Sequence, residues 1–177
     1  MTTKHIGTAV VLAALIAATR PVAAEQVVLV VRHAERADGG AGTAATASAP
    51  GMMANDPPLS AAGEQRAAKL AAMLGAAGIK QIFVTEYRRT AQTAAPLAAR
   101  LGLTPIVTAA RESDALVAQV RRADGNILVV GHSNTIPGLL TKLGVTETIA
   151  LADNDYDDVF VVFRDAAGKA SLVRLKY

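Results

Sequence analysis

Short apolar runs rich in valine and isoleucine alternate along the chain with segments of helical periodicity. The runs predict β-strands, since β-branched residues bounded by polar or turn residues are typical of buried strands. They cover residues 26–31, 82–85, 105–108, 127–130, 159–163 and 171–175. No helical pattern separates the last two, which we expect to form a hairpin at the sheet edge. The alternation of the others with helices predicts an α/β fold with a mainly parallel sheet.

Four helices are predicted between these strands from apolar positions three or four residues apart. Ser60 is placed to cap the first, whose apolar positions are Ala67, Leu70, Ala71 and Leu74. The other three cover residues 87–101, 114–122 and 135–143. Gly102 is suited to end the second helix, and Pro96 inside it predicts a kink or a break.

The N-terminal segment reads as a signal peptide over residues 1–24. Lys4 and His5 precede the apolar stretch 6–18, and small residues follow at 22–24. The apolar stretch is too short to favour a membrane span, so we expect no stable membrane insertion after cleavage; an uncleaved anchor is the alternative. One mature domain, 25–177, and a periplasmic or secreted location are expected.

Composition narrows the function classes. The mature part keeps 16 basic residues against 15 acidic ones, a net charge of +1, which excludes an electrostatic footprint for nucleic acid. The chain has no cysteine, so disulfides and thiolate metal sites are excluded. Residues 37–55 are mostly Ala, Gly, Ser and Thr and predict a flexible loop. That loop is either a tolerated surface insertion or a flap that selects substrate.

Two predicted strands end in a histidine, His33 and His132. Because the carboxyl ends of parallel strands meet at one edge of a sheet, we expect both imidazoles to lie there. Arg32 and Arg36 flank His33, and Arg89 lies at the start of the second helix. Guanidinium groups bind phosphate oxygens in pairs, and an imidazole can carry a phosphoryl group covalently. The pattern therefore predicts attack on a phosphate monoester.

Four motifs, in order, resemble those of the histidine phosphatase superfamily, the phosphoglycerate-mutase-like fold. Arg32-His33-Ala34 is similar to its Arg-His-Gly motif, with alanine in place of glycine. Residues 58–63 resemble Pro-Leu-Ser-x-x-Gly, 85–94 resemble the Arg-Thr-x-Gln-Thr-Ala segment, and 131–135 contain the second histidine. The resemblance implies a three-layer α/β/α sandwich and, with the signal peptide, an exported bacterial branch of the family.

The resemblance also implies roles for individual residues. His33 would be the nucleophile, while Arg32, Arg89 and His132 would hold the phosphate and stabilise the transition state. Arg36 would assist, and the set of substrate-binding residues would include Arg36, Ser133 and Asn134. The general acid is left open between Glu112, which follows the third strand, and Glu86, beside Arg89, with Asp114 a weaker candidate. No cofactor and no metal are expected.

The acidic segment 153–158 has two interpretations. We favour a solvated turn, because charged clusters are usually solvated. In the alternative, one of its carboxylates or Tyr156 borders the substrate cleft.

Rival functions are disfavoured by particular residues. Segment 131–135 resembles the nucleophile elbow of serine hydrolases, but its final glycine and a later histidine are missing. A metal site of His33, His132 and Glu35 would place a cation beside arginines. A phosphomonoesterase acting on a phosphorylated small molecule or envelope sugar through a phosphohistidine on His33 is therefore predicted. The alternatives are a non-catalytic phospho-ligand-binding protein and a phosphohistidine-protein phosphatase; a mutase is disfavoured by the compactness of the chain.

Overall fold

The computed structural model describes residues 26–38, 56–165 and 169–177. The predicted signal peptide 1–24 and residues 39–55 of the predicted loop lie outside the described residues. The described chain forms β1 (Gln26–Arg32), α1 (Ala61–Leu74), β2 (Ile79–Val84), α2 (Arg88–Leu101), β3 (Ile106–Val107), α3 (Ser113–Arg122), β4 (Asn126–Gly131), α4 (Ile136–Lys142), β5 (Asp158–Arg164) and β6 (Ala170–Lys176). All six predicted strands and all four predicted helices are present.

The strands form one sheet in the order β3-β2-β4-β1-β5-β6. The first four strands in this order run parallel to one another, whereas β5 is antiparallel to β1 and β6 is antiparallel to β5. The mainly parallel sheet and the edge hairpin are therefore confirmed. The antiparallel β5 has a consequence for the site, because the segment that precedes it arrives at the edge where β1 ends.

Helices cover both faces of the sheet, which confirms the three-layer α/β/α sandwich. Leu29 and Val31 of β1 pack in one apolar cluster with residues of α1 and α2, including Leu70 and Leu97. Val28 and Val30 pack in the opposite cluster with residues of α3 and α4. This split follows from the period of two in a strand, which sends successive side chains to opposite faces. Both sides of β1 are buried, as its unbroken apolar run requires.

The predicted cap of α1 and the predicted end of α2 are present, whereas the break predicted inside α2 is not. Ser60 Oγ accepts a hydrogen bond from Gly63 N at 3.1 Å and caps α1. Gly102 ends α2 with a left-handed φ of 65°, which glycine adopts without a Cβ penalty. The predicted break at Pro96 is wrong, because α2 runs through it from Arg88 to Leu101. Burial of the residues on either side, including Ala94, Leu97 and Ala98, holds the helix together across the proline.

Within the described ranges, no helix is long and apolar enough to span a bilayer.

Candidate active site

The two histidines lie side by side at the carboxyl edge of the sheet. His33 follows β1 and His132 follows β4, and these strands are parallel neighbours. The ring centroids are 5.3 Å apart with the planes at 61°, and the two residues are only 4% and 2% exposed. His33 N donates to Gly131 O at 2.9 Å, which extends the ladder past the end of β1. The expected meeting of the imidazoles is present.

Hydrogen bonding, burial and nearby charge determine the tautomer and the protonation state of the His33 ring. Its Nδ1 lies 2.8 Å from Ala34 O, and since a carbonyl oxygen can only accept, Nδ1 carries the proton. The neutral ring then keeps a lone pair on Nε2. Burial lowers the pKa of His33 from 6.5 to about 3, and the positive charges of Arg89, Arg32 and Arg36 act in the same direction. The imidazole is therefore neutral at physiological pH.

His132 is held at both ring nitrogens. Arg89 Nη2 lies 3.3 Å from Nδ1 and can only donate, so Nε2 carries the proton and donates to Thr85 Oγ1 at 3.0 Å. Thr85 Oγ1 lies 3.0 Å from Thr90 Oγ1, which donates to Tyr87 O at 2.8 Å. The pKa of His132 is lowered to about 2, mainly by burial and also by the neighbouring His33 and guanidinium groups. The ends of β2 and β4 are thus joined through this ring.

Arg32 is anchored by the segment before β5. Its Nη1 donates to the carbonyls of Ala152, Asp153 and Asp155 at 3.1, 2.9 and 3.3 Å. Its Cζ lies 4.0 Å from the ring centroid of Tyr156, and that ring lies 6.1 Å from the ring of His33. Burial lowers the pKa of Arg32 from its ordinary value. Arginine is nevertheless always protonated, so a buried cation lies directly beside His33.

Arg89 reaches the site from the first turn of α2 and has an anionic partner. Asp56 Oδ1 lies 3.3 Å from its Nη1, and both side chains are buried. The other oxygen of Asp56 accepts from Arg88 N at 2.7 Å and so satisfies a donor at the start of α2. The Tyr87 ring covers the guanidinium at 4.2 Å from Cζ. Burial lowers the pKa of Arg89, whereas Asp56 acts in the opposite direction.

Arg36 lies in the turn after His33, where it is buried and pairs with Asp38. Its backbone forms an antiparallel bridge with Leu59, and Ser60 N donates to Glu35 O at 2.9 Å. These bonds join the segment that follows His33 to the start of α1. Gly63 is required there, because a Cβ on it would lie 2.3 Å from Glu35 O.

Ala34, which stands where the resembled Arg-His-Gly motif has glycine, is accommodated. Ala34 is fully buried, and its N–H donates to Thr93 Oγ1 of α2 at 2.9 Å. The extra methyl group therefore lies in a packed environment and leaves the Nδ1 bond of His33 in place.

The candidate proton donors lie apart from this cluster. Glu86 is exposed, and its Oε2 accepts from Ala110 N at 2.8 Å. Glu112 is exposed at the start of α3. Between described residues, no hydrogen bond or ion pair joins either carboxyl to the histidines, Arg32 or Arg89. The structure thus leaves the choice between them open.

Ser133 and Asn134 occupy the turn between β4 and α4. Ser133 is half-buried and Asn134 is exposed. Asp114, the weaker acid candidate, pairs with Lys142 at 2.7 Å on the surface of α3.

Asp56, Tyr87 and Tyr156 were not predicted as site residues. Tyr156 was weighed, but the favoured interpretation of its segment as a solvated turn is wrong at two positions. Tyr156 is half-buried against Arg32, and the Asp158 side chain is 1% exposed and accepts two bonds from Arg174 at 2.6 and 2.7 Å. The antiparallel β5 causes this, because it begins where β1 ends. The one available signal for Asp56 was its position directly before Pro57-Pro58, next to a predicted motif.

The metal alternative finds no support in the described ranges, which contain no group of three His, Asp or Glu side chains able to hold an ion. Glu35, its proposed third ligand, instead pairs with Arg66 through bonds of 2.6 to 2.9 Å.

Comparisons with known proteins agree on one family. The model of the histidine phosphatase superfamily (branch 1) matches residues 28–113. A mycobacterial hydrolase superposes with a TM-score of 0.66 at 16% identity, covering 87% of this chain and 99% of its own. The protein histidine phosphatase SixA, complexed with tungstate, gives 0.63 at 18%, covering 85% and 96%. A mycobacterial glucosyl-3-phosphoglycerate phosphatase gives 0.60 at 15%, covering 84% and 97%. None of the curated proteins matches this sequence.

Proposed function

Because the model of the histidine phosphatase superfamily matches residues 28–113, we propose that this chain is a phosphomonoesterase of that superfamily, working through a phosphohistidine intermediate on His33. The observation that carries the proposal is the hydrogen bond from His33 Nδ1 to Ala34 O at 2.8 Å. It selects the tautomer whose Nε2 holds a lone pair. The low pKa of the ring, about 3, keeps that lone pair available even in mildly acidic solution.

The reaction has two displacements at phosphorus. In the first, the Nε2 lone pair of His33 forms an N–P bond while the bond from phosphorus to the ester oxygen breaks. The leaving alkoxide takes a proton from a general acid, for which Glu86 and Glu112 are the candidates. In the second, a water oxygen bonds to phosphorus as the N–P bond breaks, and the water proton passes to a base. The products are an alcohol and inorganic phosphate.

Buried cations stabilise the charge that develops on the phosphoryl oxygens. Arg32 is the last residue of β1, and Arg89 lies in the first turn of α2. The Nε atoms of both are buried and have no hydrogen-bond partner within the described ranges, as expected of donors reserved for an anion. A bound phosphoryl dianion would also raise the pKa of His132 and allow it to donate.

For the physiological substrate we propose a phosphorylated small molecule or envelope sugar, hydrolysed outside the cytoplasm. The support is the apolar segment 6–18 followed by small residues at 22–24. A structural neighbour named as a glucosyl-3-phosphoglycerate phosphatase is compatible with a phosphorylated small molecule as substrate.

The test is hydrolysis of an aryl phosphate by the full chain and by His33→Ala, with vanadate titration of both. Turnover lost in the variant while it still binds vanadate supports the proposal. Turnover that survives in His33→Ala overturns it. Vanadate binding without hydrolysis of aryl, sugar or phosphohistidine-peptide substrates would instead identify a phospho-ligand-binding protein. Addition of a chelator should leave the rate unchanged.

A further inference from the structure

Tyr156 lies in the segment before β5 and contacts a guanidinium of the site. Its ring centroid is 4.0 Å from Arg32 Cζ, which is within the range of a cation–π interaction. The same ring is 6.1 Å from the ring of His33. An aromatic side chain therefore borders both His33 and Arg32, in a segment for which a solvated turn was the favoured interpretation and a place beside the cleft the alternative.

The Arg32 guanidinium is fixed by hydrogen bonds at Nη1 and is covered on one face by the Tyr156 ring. Nη1 is occupied by the carbonyls of Ala152, Asp153 and Asp155, and the ring covers the guanidinium plane. Nε is buried and has no hydrogen-bond partner within the described ranges. Long side chains lose rotamer freedom when they bind an anion, so a guanidinium that is already held loses less.

We propose that Tyr156 is a positioning residue: its ring holds the Arg32 guanidinium so that the Nε–H donor is preorganised for a phosphoryl oxygen. This inference rests on the proposed function only in its choice of an oxyanion as ligand. The contact is made by the face of the Tyr156 ring, so the phenolic hydroxyl is not needed to hold Arg32. Tyr156 thereby couples the segment before β5 to phosphate affinity.

The experiment compares Tyr156→Phe, which keeps the ring, with Tyr156→Leu, which removes it at similar size. Orthovanadate affinity is measured by titration, together with kcat and KM for an aryl phosphate. We expect Tyr156→Phe to match the parent within about twofold. Tyr156→Leu should weaken vanadate binding about 3- to 30-fold, the range of a partly desolvated cation–π contact. It should lower kcat/KM by the same factor.

Two controls separate positioning from a general effect on folding. Phe163→Leu removes a ring from the other end of β5, where Phe163 is partly exposed, and should leave vanadate affinity unchanged. In an Arg32→Ala background, Tyr156→Leu should change affinity less than about twofold, because the contact is already gone. Thermal unfolding is followed throughout, and Tyr156→Met replaces Tyr156→Leu if the latter unfolds.

Three results would overturn the inference. One is unchanged vanadate affinity in Tyr156→Leu. Another is a large loss of kcat in Tyr156→Phe at unchanged vanadate affinity, which would make the hydroxyl a proton donor. The third is an undiminished effect in the Arg32→Ala background. Failure of the proposed function looks different: the parent protein would bind vanadate without hydrolysing phosphate esters, and the ring dependence of binding would persist.

Discussion

The guanidinium groups of Arg32 and Arg89 are alike in surroundings and different in partners. Arg32 and Arg89 each have a tyrosine ring over the guanidinium, at 4.0 and 4.2 Å, and burial lowers the pKa of each. Arg32 donates to three neutral carbonyls, whereas Arg89 pairs with the buried carboxylate of Asp56. The β1 side of the site thus holds a cation with neutral partners, and the α2 side holds an ion pair.

This difference separates two ways of preparing a site for an anion. Carbonyl dipoles orient a guanidinium without cancelling its charge, and the Asp153 and Asp155 side chains act on Arg32 without forming an ion pair with it. Arg32 therefore keeps more of its attraction for phosphate than Arg89 does. Asp56 neutralises Arg89 in the empty site, which removes the cost of a lone buried charge but leaves less net attraction. The α2 side should therefore contribute more to folding, and the β1 side more to the electrostatic attraction of substrate.

The largest expected effect is that of Arg89→Ala compared with Arg32→Ala. Both should weaken vanadate or tungstate binding, by at least about 30-fold, since each removes a buried charged donor (~2 kcal/mol or more). Arg89→Ala should also lower the free energy of unfolding by about 3–5 kcal/mol, because it leaves the buried Asp56 carboxylate without its cationic partner. Arg32→Ala should lower it by no more than about 1–3 kcal/mol, because neutral carbonyls remain. Oxyanion titration measures the affinities, and urea unfolding measures the free energies of unfolding. Equal losses of stability in the two variants would contradict the proposed difference between Arg32 and Arg89.

Asp56→Asn is the matched control, since it keeps an oxygen for Arg88 N and removes only the charge. The empty variant should be less stable than the parent, while saturating phosphate should raise its unfolding temperature more than it raises the parent's, because Arg89 regains an anion. An equal rise in both proteins would show that Asp56 does not neutralise Arg89.

A smaller effect tests the lowered pKa values of the two buried histidines. The pKa values of His33 and His132, about 3 and about 2, lie below the ordinary 6.5 because of burial and, secondarily, the nearby positive charges. Below pH 6.5 the two histidines bind protons in the unfolded chain but stay neutral in the folded chain. The free energy of unfolding should therefore fall as the pH falls. Between pH 6.5 and 5 the loss should approach about 2 kcal/mol per histidine, at ~1.4 kcal/mol per unit. Urea unfolding of the parent and of His132→Gln checks this; an equally steep decline in both would contradict it.

The smallest effect concerns backbone packing on the β1 side. Gly63→Ala should lower the free energy of unfolding by about 1–3 kcal/mol, because its Cβ would meet Glu35 O at 2.3 Å and displace the segment that carries His33. Gly138→Ala is the matched control: its Cβ meets nothing within 4 Å, and it should stabilise α4 by about 0.5–1 kcal/mol. Thermal unfolding distinguishes them, and a neutral Gly63→Ala would show that this close approach relaxes freely.

Local sequence patterns predicted correctly those features that depend on a single helix or strand. The strand ends at His33 and His132, the Ser60 cap and the Gly102 terminus depend on neighbouring residues and were predicted correctly. The predicted break at Pro96 was wrong, because the local preference of proline is outweighed by the burial of α2 against the sheet. The chemistry of Glu86 and Glu112 could not be ranked, since exposed loop carboxylates have no periodicity to orient them.

The sequence by itself determined the alternation of strands and helices, and with it the meeting of two histidines and several arginines at one sheet edge. Those consequences follow from hydrophobic period and strand direction, which are local properties. Only the tertiary structure decided which partners hold each arginine. Asp56 lies 33 residues from Arg89 along the chain, and Asp153 lies 121 residues from Arg32. Such pairings depend on the antiparallel entry of β5 and the packing of α2, which no local pattern encodes.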